Sequence, residues 1–297
     1  MIPAAAPKVE IPCPVCRSGE YRIMYPDTLG SRLPEFGYDF SPSHTHSYRV
    51  LRCRSCRHAY CSPMPANLFE NYVSVRDEEY LKNRQQRIDT GERVVSIIRK
   101  FKQSGYLLDV GCATGDFLCV ASSHFKVEGL ELSNWAADIA AEKGFVIHRK
   151  RLSALRADGH YDVVTLWGVI EHFEDPAMEI GEIHRLLRAG GIVCLWTGDV
   201  DSMLSRLLGR RWWYFQGQHI QYFSRKSIDR LFADHGFVPR AMRTYPYVMT
   251  LRSLAKSLGR YRVIGAVARA LFDNSRIGEW KVTFSLPGEM LAIYEKA

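Results

Sequence analysis

A glycine-containing turn followed at a distance by a carboxylate is the feature of this sequence that most directly suggests chemistry. The apolar run at residues 107–110 leads into a turn with Gly111 and Gly115, and Glu131 follows about 20 residues later. Glycine lets the backbone approach a ligand closely, and Glu131 can accept hydrogen bonds from both hydroxyls of a ribose. The pattern predicts a nucleotide-type pocket at the carboxyl ends of two parallel strands, with a turn that binds nothing as the alternative.

Four cysteines form a second group of residues with the spacing of metal ligands. They occur as two C-x-x-C pairs: Cys13, Cys16, Cys53 and Cys56. Two tight turns that each carry two thiolates suit a tetrahedral zinc ion, so we expect a structural zinc ribbon over residues 1–66. A pair of redox dithiols or disulfides is the alternative. His58 and Cys61 follow the second pair and are interpreted as packing residues.

The elements that position the glycine turn are predicted from the alternation of apolar runs and amphipathic segments. Strands are expected at 106–110, before 131, at 145–147, 161–167 and 192–196, from 237, and at the end of 281–294. Helices are expected to begin near Asp116, Ser133 and Ser224. The run at 163–167 is typical of a strand buried on both faces. The alternation predicts an α/β fold with a doubly wound sheet.

Ordered motifs in this region resemble those of the class I S-adenosylmethionine-dependent methyltransferases of the small-molecule type. They are the Asp109–Gly115 turn and residues 167–176, 186–191 and 219–224. The resemblance implies a Rossmann-like sheet of seven mostly parallel strands, with the last strand antiparallel. It also implies S-adenosylmethionine as cofactor, contacted by Asp109, Gly111, Cys112, Ala113, Gly115, Glu131, Leu132, Leu152, Trp167 and Gly168.

Two positions depart from the family pattern. Ala113 replaces the middle glycine of the turn, and we expect a low cost because a methyl group is small. Gln218 occupies a position usually held by glutamate, which leaves a charged role at that position open.

His172, His219 and Glu171 are the predicted catalytic residues. Methyl transfer is an in-line displacement, for which the enzyme mainly aligns the reactants and excludes water. A general base is needed when the acceptor is a hydroxyl or a carbon acid, and imidazole titrates near neutral pH. Glu171 could orient a histidine or bind substrate. Orienting or structural hydrogen bonds are the alternative for both histidines.

Two groups of aromatic residues are candidates for substrate binding. Tyr72 and Tyr80 lie in a predicted helical linker or cap over residues 67–103. A basic and aromatic group follows the fifth strand, where this fold places substrate loops: Arg211, Trp212, Trp213 and Tyr214. The proline- and aromatic-rich segment 33–42 of the ribbon could also cover the active site. Packing is the alternative for all of these residues.

Residues 246–280 are predicted to form a basic amphipathic insertion within the methyltransferase domain at 104–297. A solvated helix packed on the core is the plainer interpretation. Contact with a membrane surface or a lipid-linked substrate is the sharper one, and contact with a partner is a third.

The net charge of +8 indicates an anionic partner, and neither a membrane-spanning apolar run nor a signal peptide is evident. We therefore expect a cytoplasmic enzyme. Its acceptor is expected to be a sugar, a glycolipid or polysaccharide precursor or a secondary metabolite, and an anionic, lipid-linked or nucleotide-linked form of it would suit the net charge. The alternatives are an RNA methyltransferase that reads RNA with the ribbon, which the strand-four motif disfavours, and a non-catalytic zinc-ribbon protein.

Overall fold

The computed structural model describes residues 8–30, 32–38, 46–65, 68–260, 262–273 and 275–297. The predicted boundary at 66 and 67 and residues 39–42 of the covering segment lie outside these ranges. The strands are β1 (Lys8–Val9), β2 (Tyr21–Tyr25), β3 (Val50–Cys53), β4 (Ala59–Cys61), β5 (Met64–Pro65), β6 (Tyr106–Val110), β7 (Lys126–Leu130), β8 (Val146–His148), β9 (Tyr161–Trp167), β10 (Leu187–Gly198), β11 (Gln221–Tyr222), β12 (Phe237–Arg243), β13 (Pro246–Thr250), β14 (Lys281–Ser285) and β15 (Glu289–Lys296). The α-helices are α1 (Glu78–Lys82), α2 (Arg84–Ile98), α3 (Asp116–Ala121), α4 (Asn134–Glu142), α5 (Pro176–Leu186), α6 (Met203–Leu208), α7 (Arg225–Ala233), α8 (Leu251–Ser257) and α9 (Arg262–Phe272).

A seven-stranded sheet forms the centre of the molecule, in the order β12-β15-β10-β9-β6-β7-β8. Strands β10, β9, β6, β7 and β8 are parallel to their neighbours. Strand β15 runs antiparallel between β10 and β12. The predicted doubly wound sheet of seven mostly parallel strands, with an antiparallel last strand, is confirmed.

The helices begin where short polar side chains can cap them. The Ser133 hydroxyl accepts a hydrogen bond from the backbone of Ala136, and Asp175 caps α5 ahead of Pro176 at its first position. Ser224 and Ser227 form a reciprocal capping box at the start of α7. Such caps satisfy the unpaired N–H groups of a first helical turn, so the helix starts predicted at Ser133 and Ser224 are confirmed.

Strand β10 is longer than predicted because it begins before the glycine turn rather than after it. Leu187 already pairs with Tyr161, and the register shifts between Leu187 and Ile192. Gly190 has φ +69°, a conformation that glycine adopts at little cost. The expected turn is therefore an irregularity inside one strand.

The N-terminal ribbon forms a four-stranded sheet in the order β11-β4-β3-β2. Its first strand in that order comes from the catalytic region, since Gln221 pairs with Tyr60 and Tyr222 pairs with Ala59. A further hydrogen bond joins the backbone of Cys61 to the Ile220 carbonyl. The segment that follows His219 is thus continuous with the ribbon sheet.

The 246–280 insertion begins with a strand. Strand β13 pairs with β14 in an antiparallel hairpin, and α8 and α9 lie between them in the chain. Strand β13 also packs beside α2, where Thr90 and Val248 exchange hydrogen bonds. Among the described residues, none of the helices combines the length and apolarity that crossing a bilayer demands.

Candidate active site

The glycine turn after β6 has the backbone conformation that a close approach requires. Gly111, Ala113 and Gly115 have φ values of +68°, +46° and +76°. A Cβ atom added at Gly111 would lie 2.7 Å from Cγ2 of Val169, in the segment after β9. The left-handed conformation of Ala113 corrects the expectation of a low cost, because the strain comes from the backbone angle rather than from the size of the methyl group.

Glu131 joins this turn to the end of β7. One carboxylate oxygen accepts a hydrogen bond of 2.9 Å from the backbone of Ala113, and the other accepts one of 2.8 Å from Ser133. Burial raises the pKa of the Glu131 carboxyl, although both backbone contacts lower it. The carboxylate is thus held at the end of β7 by two backbone N–H groups, and its contact with a ribose stays a prediction.

Asp109 presents a buried carboxyl with an unused oxygen. The Thr165 hydroxyl donates to Oδ1 at 2.7 Å, whereas Oδ2 has no hydrogen-bond partner among the described residues. Burial, with a smaller contribution from Glu131, raises the pKa of Asp109 to about 8. A cationic group such as an ammonium or a sulfonium would complement this carboxylate and lower its pKa.

The other predicted cofactor residues lie around the same strand ends. Cys112 and Leu152 are buried, whereas Leu132 is half-buried. Trp167 packs edge-to-face on Phe117, and its indole Nε1 is buried with no partner in the described part of the chain. The backbone of Gly168, with φ +68°, donates to the Trp196 carbonyl.

His172, His219 and Glu171 lie together in a mostly buried cluster. The two imidazole centroids are 4.8 Å apart, and a ligand atom of each of the three residues lies within 4.8 Å of the others. The Tyr214 phenol and the Thr197 hydroxyl donate hydrogen bonds to Glu171. Burial raises the pKa of Glu171 to about 7.

The two histidines have different surroundings. Nδ1 of His172 lies 2.9 Å from both the Tyr72 hydroxyl and the Gln218 carbonyl, and burial lowers its pKa to about 4. Nδ1 of His219 donates to the Tyr214 carbonyl at 2.9 Å. Its Nε2 therefore carries the lone pair and accepts from the Gln216 amide at 3.0 Å.

Residues 32–38 of the ribbon lie beside the predicted linker tyrosines. The rings of Phe36 and Tyr72 are 5.2 Å apart, and those of Tyr38 and Tyr80 are 5.1 Å apart. Backbone N–H groups of this segment donate to Gln218 and Asp77. The segment thus reaches the histidine cluster, and Gln218 uses its neutral side chain there as a hydrogen-bond acceptor.

The four ribbon cysteines converge. Sγ of Cys13 is 3.5 Å from Sγ of Cys56, and Sγ of Cys16 is 3.5 Å from Sγ of Cys53. All four sulfur atoms lie within 4.8 Å of one another. A tetrahedral zinc ion with Zn–S bonds of about 2.3 Å separates its sulfurs by about 3.8 Å, so the cluster has the dimensions of such a site.

Comparison with known proteins assigns this architecture to a family. A family profile described as a methyltransferase domain matches residues 80–241, more than half of the chain. The chain belongs to this methyltransferase family. The predicted S-adenosylmethionine-dependent methyltransferase enzyme is thereby confirmed.

Two curated relatives and one solved structure illustrate the similarity. The methyltransferase is 25% identical to the demethylmenaquinone methyltransferase of Alkalihalophilus pseudofirmus over 62% of this chain and 80% of the relative. It is 33% identical to the ubiquinone biosynthesis O-methyltransferase of Burkholderia vietnamiensis over 34% of this chain and 49% of the relative, so it spans about half of that protein. The structure of a putative sarcosine dimethylglycine methyltransferase from Galdieria sulphuraria shares the fold, with a TM-score of 0.50, 14% identity and coverage of 76% of this chain and 93% of that one.

The basic and aromatic group of the methyltransferase is divided between several environments. Tyr214 contacts Glu171, and Trp213 is half-buried beside it. Trp212 is fully buried against the ribbon core and stacks on Tyr214, and Arg211 is exposed. The structure brings Tyr214 to the histidine cluster and places Arg211 and Trp212 elsewhere.

Glu289 is a buried acid of the methyltransferase that the sequence analysis did not single out. Its carboxylate accepts hydrogen bonds from the indoles of Trp196 at 2.8 Å and Trp213 at 3.0 Å and from the Tyr247 hydroxyl at 2.6 Å. Burial raises the pKa of Glu289 despite these three donors. The sequence feature that could have indicated this site is a glutamate at the first position of the apolar strand β15.

Proposed function

We propose that this methyltransferase transfers a methyl group to a hydroxyl or acidic C–H group of a small-molecule acceptor, with His219 as the general base. The observation that supports this proposal most directly is the position of the histidine cluster beside the glycine turn. Val169, three residues before His172, lies so close to Gly111 that a Cβ atom added there would be 2.7 Å from its Cγ2. The predicted cofactor residues and the predicted base therefore adjoin.

The residues present fit S-adenosylmethionine. Glu131 would hold the ribose, and the unused oxygen of Asp109 would face the positively charged end of the cofactor. When bound, S-adenosylmethionine supplies a methyl group on a sulfonium sulfur. The indole N–H of Trp167, which has no hydrogen-bond partner among the described residues, offers one further hydrogen bond at this edge of the sheet.

His219 is better suited than His172 to accept a proton. Its Nδ1–H is held by the Tyr214 carbonyl, so the lone pair lies on Nε2, which would exchange its contact with the Gln216 amide for one with the acceptor. In the proposed reaction Nε2 of His219 would accept the proton that the acceptor loses, while the bound cofactor would supply the methyl group and its sulfur would keep the electrons of the broken C–S bond. His172, whose pKa is lowered to about 4, stays neutral and positions Tyr72.

The acceptor class is proposed from chemistry and from relatives. A sugar, a glycolipid or polysaccharide precursor or a secondary metabolite each presents hydroxyls or acidic carbons for this base. The relatives named for demethylmenaquinone and ubiquinone biosynthesis add a quinone-type small molecule to the acceptors that should be tested.

Two pairs of variants test these assignments. We expect His219→Gln to lower kcat by roughly 10²–10⁴-fold and to leave S-adenosylhomocysteine affinity unchanged in calorimetry, whereas His172→Gln should change kcat less. Glu131→Gln should weaken S-adenosylhomocysteine binding about tenfold, since it removes one charged hydrogen bond. The exposed variant Glu142→Gln is its control. Equal affinities in these two variants would contradict the ribose assignment.

We also propose that the four cysteines bind a structural zinc ion. The sulfur separations and the four-thiolate donor set support this. Since β11 pairs with β4 only a few residues from the metal ligands, the ion would also hold the segment that follows His219.

A third proposal concerns the insertion, whose outer face we expect to contact an anionic membrane surface. Val263, Val267 and Leu271 recur every four residues along α9 and are 57–78% exposed, and Trp280 is 65% exposed. Residues 251–281 contain seven Lys or Arg and two acidic residues, which gives +5 of the chain's net +8. An apolar stripe within a basic segment is typical of interfacial helices.

Vesicle co-sedimentation tests the membrane proposal. Wild-type protein should bind vesicles that contain phosphatidylglycerol mixed with phosphatidylcholine, and it should not bind vesicles of phosphatidylcholine alone. Val263→Gln with Val267→Gln should abolish this binding, whereas Val146→Gln, at an exposed valine of β8, should not. Binding that survives the double substitution would refute the proposal.

A further inference from the structure

Two adjoining cavities on the ribbon side of the molecule have five arginines among their lining residues. The first has a volume of about 270 Å³ and is lined by Arg22, Arg52, Cys53, Arg54 and Arg57. The second, of about 290 Å³, shares Arg22, Arg52 and Arg57 and adds Asp201 and Arg206 among its lining residues. We call the two cavities the ribbon arginine pocket. Its lining includes none of the residues assigned to the cofactor turn or to the histidine cluster.

Positive charges face each other across this pocket. Arg22 on β2 and Arg52 on β3 are direct register partners in the antiparallel pair. Like charges opposite each other on neighbouring strands repel, and no acidic side chain in the described ranges pairs with Arg22. Five arginines and a single aspartate line the two cavities. An anion bound between the arginines would attract each guanidinium group and so offset their mutual repulsion.

Arg52 carries hydrogen-bond donors that nothing in the described chain satisfies. Its side chain is only 5% exposed, and Nη2 donates to both oxygens of Asp201 at 2.7 Å and 2.6 Å. Its Nε and Nη1 atoms are buried and have no partner among the described residues. Buried donors are almost always paired, so these two N–H groups call for an acceptor in the pocket.

We propose that the ribbon arginine pocket binds the phosphate group of a small phosphorylated ligand. Guanidinium groups donate parallel N–H bonds that match phosphate oxygens, and several such groups converge here. The cavity volumes lie near the lower end of the range for ligand pockets, roughly 300–1,000 Å³. The proposal concerns a site apart from the methyl-transfer centre and does not depend on the identity of the acceptor.

Binding of inorganic phosphate and pyrophosphate to the zinc-loaded full chain tests the proposal. Calorimetry should detect pyrophosphate binding, and pyrophosphate should raise the thermal unfolding midpoint. Arg22→Gln should weaken that binding at least tenfold and, without ligand, should raise the midpoint because it relieves the repulsion. Arg57→Asn should also weaken binding because it removes a second guanidinium. Asparagine is chosen because it tolerates the φ of +63° at that position. Arg156→Gln, at an exposed arginine outside the pocket, is the matched control.

The outcomes separate the possible sources of phosphate. Binding of free pyrophosphate, together with binding to phosphatidic acid vesicles that Arg22→Gln leaves unchanged, supports a soluble ligand. Vesicle binding that needs Arg22 and is competed by pyrophosphate supports a phosphorylated headgroup. The proposal would be overturned if pyrophosphate did not bind at millimolar concentration, or if Arg22→Gln left its binding unchanged. In that case the role of these arginines would be to balance the negative charge of a zinc–thiolate centre. Binding of an RNA oligonucleotide that pyrophosphate does not displace would also overturn it.

Discussion

The Tyr214 phenol donates its hydrogen bond directly to the Glu171 carboxylate, and both groups are buried beside the histidine cluster. The Tyr214 ring lies on Gly198, where an added Cβ atom would be 2.7 Å from the ring. The same residue thus contributes its hydroxyl to Glu171 and its carbonyl to His219. Strand β10, Glu171 and His219 are held in one arrangement by this tyrosine.

Removal of the Tyr214 hydroxyl should disturb the site more than the fold. We expect Tyr214→Phe to lower the free energy of unfolding by about 1.5–3 kcal/mol, because a buried carboxylate loses a donor. It should also raise the pKa of Glu171 and shift the pH profile of kcat. Tyr161→Phe removes a part-buried hydrogen bond from a tyrosine to a glutamate, Tyr161 to Glu128, and should leave that profile unchanged. Identical profiles for the two variants would contradict the assigned role.

Asp109 and Glu171 should each make stability fall as the pH rises from about 4 to about 7, whereas His58 and His172, whose pKa values are lowered to about 4, act in the opposite direction. The pKa values of Asp109 and Glu171 are raised to about 8 and about 7, whereas both lie near 4 in an unfolded chain. The folded chain therefore holds more protons between these limits, and each group lowers the free energy of unfolding by up to about 1.4 kcal/mol per pH unit. Urea unfolding at a series of pH values measures this slope. Glu171→Gln should remove this group's share of the fall in stability, and the exposed control Glu142→Gln should not; equal slopes in the two variants would contradict the argument.

Two small substitutions in the glycine turn should differ clearly in how much they change stability. Gly111→Ala should be strongly destabilising, by roughly 2–4 kcal/mol, because it combines a positive φ with a 2.7 Å contact to Val169. Ala113→Gly should change stability by less than about 1 kcal/mol, since relief of the backbone strain offsets the entropy of glycine. Chemical denaturation of both variants measures the difference. A larger loss for Ala113→Gly than for Gly111→Ala would refute this account of the turn.

Removal of the proposed zinc ion should affect the catalytic region as well as the ribbon. We expect elemental analysis to find zinc in purified protein, and chelation to lower the unfolding midpoint and to increase hydrogen exchange at Gln221 and Tyr222. Cys53→Ser should reproduce these effects, whereas Cys119→Ser, outside the cluster, should not. Protection of these two amides that survives metal removal would show that the ribbon sheet does not need the ion.

Local patterns predicted the fold and part of the site, and long-range contacts account for the rest. The apolar run of β9 and the capping serines act over a few residues, so the sequence alone could indicate them. The carboxylate of Glu289 gathers donors from three distant segments. No residue spacing in the sequence indicates that these three donors contact Glu289. The positive φ of Ala113 likewise depends on its surroundings rather than on its residue type.

The pairing of β11 with β4 has a consequence for how the molecule opens. A two-residue strand has little stability by itself, so it should unfold together with the ribbon as one cooperative unit. The residue that we assign as the base, His219, lies two positions before this strand. Local melting of the N-terminal sixty residues would therefore switch off proton transfer while the central sheet stays intact. A protein with an unfolded ribbon could still retain cofactor and yet turn over no substrate.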